Sequence, residues 1–180
     1  MATATITTTT TETPRIFVAC LAAYNSGILH GAWMDVTEDA WAIWDGIAAM
    51  LAKSPIAEAE EWAIHDYEGF AGIRIREYEG IERVAELAAF IAEHGTLGAE
   101  LYNHFGSDLD EAREAMADRY LGCYAKLADY MEEVTEQSIA IPQQLAFYID
   151  YDAMARDAEM SGDLLTIETA HDEVHVFAGC

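Results

Sequence analysis

Thirty-three carboxylates stand against nine cationic side chains in a chain of 180 residues, a formal net charge of −24. No other feature restricts the fold so strongly. An ionised carboxylate is expensive to bury without a partner, and nine cations cannot partner 33 acids. Most of the acids must therefore stand in water. The same chain is 52% apolar, so a core can be built and global disorder is not expected. Core and charge must then be sorted onto opposite faces of each element. The acids are also spread along the chain. Residues 1–60 carry seven acids and two bases, residues 61–100 nine and three, and residues 101–180 seventeen and four. A catalytic site would concentrate two or three carboxylates instead.

A field of this sign repels nucleic acid and anionic membrane, and it attracts basic surfaces, including those that normally hold DNA. Salt adaptation is the bland alternative, but Glu outnumbers Asp by 20 to 13, which points away from it. The cysteines, Cys20, Cys123 and Cys180, are odd in number and form no CxxC. Neither a disulfide framework nor a zinc ribbon is indicated, and a reducing cytoplasm suits them. The opening "MATATITTTTTETP" has no basic n-region and no apolar h-region, so a signal peptide is not expected there; residues 1–13 are expected to be a disordered Thr-rich leader. There is no run of about 18 apolar residues, so no membrane span is expected.

The periodicities predict an α+β fold built as three small lobes. In the N-terminal α/β lobe, 14–75, "RIFVACL" (15–21), "AWMDV" (32–36) and "EWAIHDY" (61–67) read as strands, and "AAYNSGILHG" (22–31) as an exposed loop. Thr37 is the expected N-cap of a helix running to Pro55, with Glu38 and Asp39 in its first turn. Trp41, Trp44, Ala48 and Leu51 are the expected buried stripe of that helix, and the four tryptophans, Trp33 and Trp62 included, are expected in the core or at a lobe interface. In the central helical lobe, 76–106, Ile81, Val84, Leu87, Ala88 and Ile91 recur at helical spacing, and Gly95 is a C′ residue ahead of a second short helix. The C-terminal acidic α+β lobe, 107–180, holds a helix from Ser107–Asp108 to Tyr120, a break at Gly122 and a helix over 125–136. A further helix runs from Asp150 to Gly162, and a β-hairpin closes the chain.

Familiar chemistries fail one by one. An EF-hand loop starting at Asp150 has Met154 and Ala155 where it needs Asp/Asn and Gly. Only one Glu-x-x-His occurs, Glu168 to His171, where a di-iron bundle needs two. In "HDEVH" (171–175), Glu173 sits one place too late for a metalloprotease motif, and His171 and His175 read as turn and strand residues. No phosphate loop and no Gly-x-Ser-x-Gly is present. Cys20 lies in an apolar strand, and Cys123 has no base near it in sequence. Any two of 33 acids could meet as a hydrolase pair, so a carboxylate-based hydrolase or metal enzyme stays open. So does an acidic adaptor for some basic protein.

The spacing of the acids is more informative. Asp108, Glu111, Glu114 and Asp118 step by three, three and four, joined by Asp110; Asp129, Glu132, Glu133 and Glu136 do likewise. On a helix such neighbours share a face, about 5–6 Å apart. Glu77, Glu79, Glu82 and Glu86 extend the acidic surface into the middle lobe. Duplex DNA carries one charge per about 1.7 Å of axis, so this chain carries the charge of about 12 base pairs.

Five segments then carry a family resemblance: "PRIFVACLAAYNSGILHGAWMD" (14–35), "EEWAIHDYEGF" (60–70), "YEGIERVAELAAFIAEHG" (78–95), "FYIDYDAMARDAEMSGD" (147–163) and "VHVF" (174–177). In this order they resemble the ArdA antirestriction proteins of plasmids and conjugative transposons, and "YIDYDAMARD" resembles the family's antirestriction motif. The resemblance implies an elongated chain of three lobes that forms a homodimer, a non-catalytic DNA mimic that needs no metal or cofactor. Such a protein occupies the DNA groove of type I restriction–modification enzymes and blocks restriction and modification of incoming DNA. The acidic residues named above become the partner-binding surface. Tyr148, Asp150, Tyr151, Ala155, Arg156, Asp157 and Glu159 become candidates for the dimer contact in the C-terminal lobe. No direct binding to nucleic acid or membrane is implied, and the setting is the cytoplasm of a cell receiving a mobile element, whose defence is evaded.

Overall fold

The apolar run at the start of the chain forms strand β1 (Arg15–Cys20), and a single helical turn, α1 (Leu21–Asn25), follows it directly. The computed structural model describes residues 12–179; most of the expected leader, and Cys180, lie outside the described residues. Strands β2 (Gly31–Asp35) and β3 (Trp62–Glu68) flank β1 in an antiparallel sheet of order β2-β1-β3. Ile16 pairs with Met34, Phe17 with Trp33 and Val18 with Ile64. Two or three strands were expected and three form. The loop expected over 22–31 is half helix instead, because Ala22 and Ala23 favour a turn that Ser26 closes by donating its hydroxyl to the Ala22 carbonyl.

Helix α2 (Ala40–Leu51) lies against this sheet, and two expectations about it are corrected. Its N-cap is Asp39, not Thr37: the Asp39 carboxylate accepts the Ala42 N–H at 2.9 Å. Thr37 is taken by Asp35, which accepts both its N–H at 2.8 Å and its hydroxyl at 2.6 Å. These bonds hold the Asp35 carboxyl below its ordinary range. The buried stripe is Ile43, Ile47 and Met50, whereas Trp41 is 80% exposed and Trp44 37%. Apolar residues surround this helix, so helical spacing admits two stripes. Close approach decides between them. A Cβ on Gly46 would lie 3.3 Å from the Met34 sulfur, so the glycine lets the helix approach β2 closely with Ile43, Ile47 and Met50 turned inward. Trp33 likewise stands on the open face of the sheet and Trp62 is half-buried.

In α3 (Ile81–His104) the five expected core positions, Ile81, Val84, Leu87, Ala88 and Ile91, are all buried. Gly95 interrupts the helix with φ 57°, a left-handed conformation that glycine adopts freely. The chain divides into two compact units, up to Ala99 and from Glu100 onward. After the last residues of α3, the second unit continues with α4 (Leu109–Glu114), capped by Asp108 as expected. It does not run on as α-helix to Tyr120. A π turn, Ala115–Arg119, leads into strand β4 (Tyr120–Tyr124), where a helix break was expected at Gly122.

Helices α5 (Leu127–Ser138), α6 (Gln143–Ala146) and α7 (Tyr151–Ser161) follow, and then the hairpin β5 (Leu164–Ala170) and β6 (Glu173–Ala178). The sheet order is β4-β6-β5, all antiparallel. Asp150 caps α7 by accepting the Ala153 N–H at 2.9 Å, and Gly162 ends it at φ 79°, both as expected. Leu127, Ala155 and Val176 form the core beneath α5 and α7, with Tyr124, Met131 and Leu164 packed against it. The architecture is α+β: a small sheet with helices, a central helical stretch, then helices with a hairpin. No described helix is long and apolar enough to cross a membrane.

Candidate functional site

Among the described residues no polar or charged residue is buried. The separation demanded by the charge is therefore realised, and the acids stand on outward faces, where their immediate neighbours decide what each does. On α4, Asp108 accepts the N–H groups of Asp110 (3.0 Å) and Glu111 (3.1 Å). Asp110 lies 3.7 Å from Arg113. Glu111 lies 3.8 Å from Arg119, whose guanidinium also sits 5.2 Å over the Phe105 ring. Glu114 and Asp118 are exposed, but the π turn between them interrupts the straight helical row expected from the spacing.

On α5 the row is kept. Asp129 accepts the Lys126 N–H at 3.2 Å, and Glu133 accepts the Gln137 side chain at 3.0 Å. Glu132 and Glu136 face Tyr151 on α7. Partial burial first, then the carboxylates of Glu136 and Glu132, push the Tyr151 phenol up. Burial followed by Glu133 does the same to Tyr124. At both phenols burial comes first, and the neighbouring carboxylates add to it by disfavouring a further negative charge.

In the first unit Glu77, Glu82 and Glu86 are exposed and Glu79 partly so. Glu77 pushes the Tyr78 phenol up. Glu82 accepts the Trp44 indole N–H at 3.0 Å, a bond that holds its carboxyl below the ordinary range.

The segment of the expected dimer contact divides into two parts. Phe147 and Tyr148 are 93% and 81% exposed, and Asp150, Arg156, Asp157 and Glu159 also face solvent. Glu159 accepts the Thr166 hydroxyl. Ala155, only 7% exposed, packs inside its own unit against Leu127 and Val176. Lys126, Asp129, Glu132, Tyr148 and Asp150 line one shallow open cavity.

No group of three or more His, Cys, Asp or Glu side chains converges as a metal site among the described residues. His171 lies in the hairpin turn beside Asp172, and His175 is on β6 between the Tyr120 hydroxyl (3.0 Å) and Thr169 (3.1 Å). Cys20 is buried and Cys123, opposite His175 in the sheet, is exposed. Sequence reasoning missed the aromatic surface of the first unit. There Arg15 lies 5.0 Å over the Trp33 ring while bonded to Glu68. The alternation of β1 and β2 could have placed Arg15, Phe17 and Trp33 on one open face.

Compared with known proteins, the chain matches the family model described as antirestriction protein (ArdA) over residues 16–173. No significant match is found among individually curated proteins.

Proposed function

The chain belongs to the ArdA family of antirestriction proteins, and on that premise we propose that the acids of both units are what a type I restriction–modification enzyme meets in place of DNA. The function is antirestriction by DNA mimicry, and the partner is the type I restriction–modification enzyme. Members of the family act by mimicry and not by catalysis. The single observation that carries the surface assignment is the complete separation of charge from core among the described residues. Carboxylates that stand outside the core and gather into no metal-type cluster among the described residues are free to be read by a cationic groove.

The partner-binding surface in this reading runs over Glu77, Glu79, Glu82 and Glu86, then Asp108, Asp110, Glu111, Glu114 and Asp118, then Asp129, Glu132, Glu133 and Glu136. Asp108 and Asp129 serve twice, because a capping carboxylate keeps its charge and remains exposed. Restriction and modification are both blocked, since both require the same groove. The protein works as a homodimer in the cytoplasm and does not itself bind nucleic acid, which its field repels. The exposed members of the motif, Tyr148, Asp150, Arg156, Asp157 and Glu159, meet the second copy, with Tyr151 at their edge. Ala155 supports them from inside.

The test is an equilibrium titration of the protein against an isolated type I methyltransferase, with and without excess duplex DNA, across a salt series. Duplex should displace the protein competitively, and affinity should fall steeply with salt as counterions are no longer released. A complex that survives saturating duplex, or a flat salt response, would remove the mimicry account of this surface.

A further inference from the structure

An indole that stands 80% exposed on a well-formed helix is not explained by the fold. The core beneath α2 is filled by Ile43, Ile47 and Met50, and helix propensity does not favour tryptophan. Trp41 nevertheless stands outward, and Trp44, one turn on, is held firmly beside it. The Trp44 N–H is bound to Glu82 at 3.0 Å, and its ring meets Trp62 edge-on at 5.5 Å. Asp45 is four residues from Trp41 and exposed, so its carboxylate lies on the same face. The result is an exposed indole with an anion at its side, next to the firmly held Trp44.

The molecule shows twice what such a pairing holds. Arg15 sits 5.0 Å over Trp33 while its guanidinium is bonded to Glu68. Arg119 sits 5.2 Å over Phe105 with Glu111 at 3.8 Å. In both cases a ring and a carboxylate share one guanidinium. Trp41 and Asp45 supply the same two components, and among the described residues no cation lies over the Trp41 ring.

We propose that Trp41, with Asp45, is an anchor for an arginine side chain of the restriction enzyme: the guanidinium lies on the indole face and bonds the carboxylate. The inference rests on the mimicry reading, and it adds a component that a duplex backbone lacks. Charge pairing through counterion release fades as salt rises, whereas guanidinium–indole contact is a short-range attraction that strengthens as water is excluded. Tryptophan and arginine are also the residues in which interface energy concentrates. The anchor keeps the complex together at salt concentrations where carboxylates alone would release it.

The experiment is equilibrium binding of the full chain to an isolated type I methyltransferase across a salt series. It compares the unaltered protein with Trp41→Ala, Trp41→Leu, Trp41→Phe and Asp45→Asn. Trp41→Ala should weaken binding about tenfold at every salt, leaving the slope of log K against log salt unchanged. Trp41→Leu should be as weak as the alanine variant, and Trp41→Phe should recover part of the loss. Asp45→Asn should weaken binding less as salt rises. Trp41 is exposed, so the variants should keep the parent's circular dichroism and melting temperature. If Trp41→Ala binds like the unaltered chain, the anchor is refuted while mimicry stands; so too if Trp41→Leu restores affinity, which would mean an apolar pocket and not a cation. If the unaltered chain does not bind the methyltransferase, the mimicry reading falls, and the anchor with it.

Discussion

Replacing Glu132, Glu133 and Glu136 on α5 by glutamine should make the protein more stable and a weaker inhibitor at once. With Asp129, these acids form four like-charge pairs at helical neighbour spacing: 129–132, 129–133, 132–136 and 133–136. Each such pair destabilises a helix by about 0.2–0.5 kcal/mol. Glu136 adds a negative charge to the last turn, where the helix dipole disfavours it. All four pairs contain at least one replaced residue, and glutamine matches glutamate in helix propensity. The triple variant should therefore gain about 1–2 kcal/mol in low salt. That gain should shrink in about 1 M salt, where the screening length falls to roughly 3 Å.

Binding should move the other way. Each carboxylate that meets a cation of the partner contributes about one unit to the salt slope, so the slope should flatten by up to about three. Thermal or urea unfolding at two salt concentrations gives the first quantity, and titration against the methyltransferase gives the second. A variant that is less stable than the parent would refute the crowding argument and give these acids a structural role. One that is more stable and inhibits undiminished would take α5 off the recognition surface.

The remaining predictions concern the dimer and the response to pH. Arg156→Ala should loosen the dimer without unfolding either unit, read as a shift towards monomer in sedimentation at low concentration; an unchanged profile removes Arg156 from the contact. Burial holds the imidazoles of His94 and His175 below their ordinary range, against the opposing pull of Glu93 and Glu173. The folded state thus prefers both neutral, and their contribution is complete above the unfolded value of about 6.5 and is lost as pH falls below it. The melting temperature should therefore drop between about pH 6.5 and 5. The double variant His94→Gln, His175→Gln should lose most of that slope; an identical slope in both proteins would show that another group is responsible.

The features readable in advance were local ones. Asp108 and Asp150 cap because a carboxylate three residues ahead of a helical N–H needs only its own turn to reach it. Gly95 and Gly162 stop helices because they take left-handed backbone angles. Core positions in α3 were legible because its large apolar residues recur on one side, while its acids Glu82, Glu86 and Glu93 stand exposed. The errors have the opposite character. Thr37 and Asp39 are both competent caps, and Asp35, engaging Thr37 from β2, settled the choice. "YLGCY" is a strand because β6 is there to pair with it, a partner some 50 residues away. The acidic rows on α4 and α5 looked alike in spacing, but the π turn broke the first and left the second intact.

From the amino-acid order alone follow the net charge, the exposure of the acids and the family, since ionisation, desolvation and motif identity need no coordinates. Which side of α2 faces the sheet needed the packed molecule: Gly46 lets the helix close on Met34, with Ile43, Ile47 and Met50 inward. That contact turns Trp41 towards solvent. Tertiary structure likewise decided which acids cap, which pair with arginine and which stay crowded together, because those outcomes depend on neighbours distant in the chain.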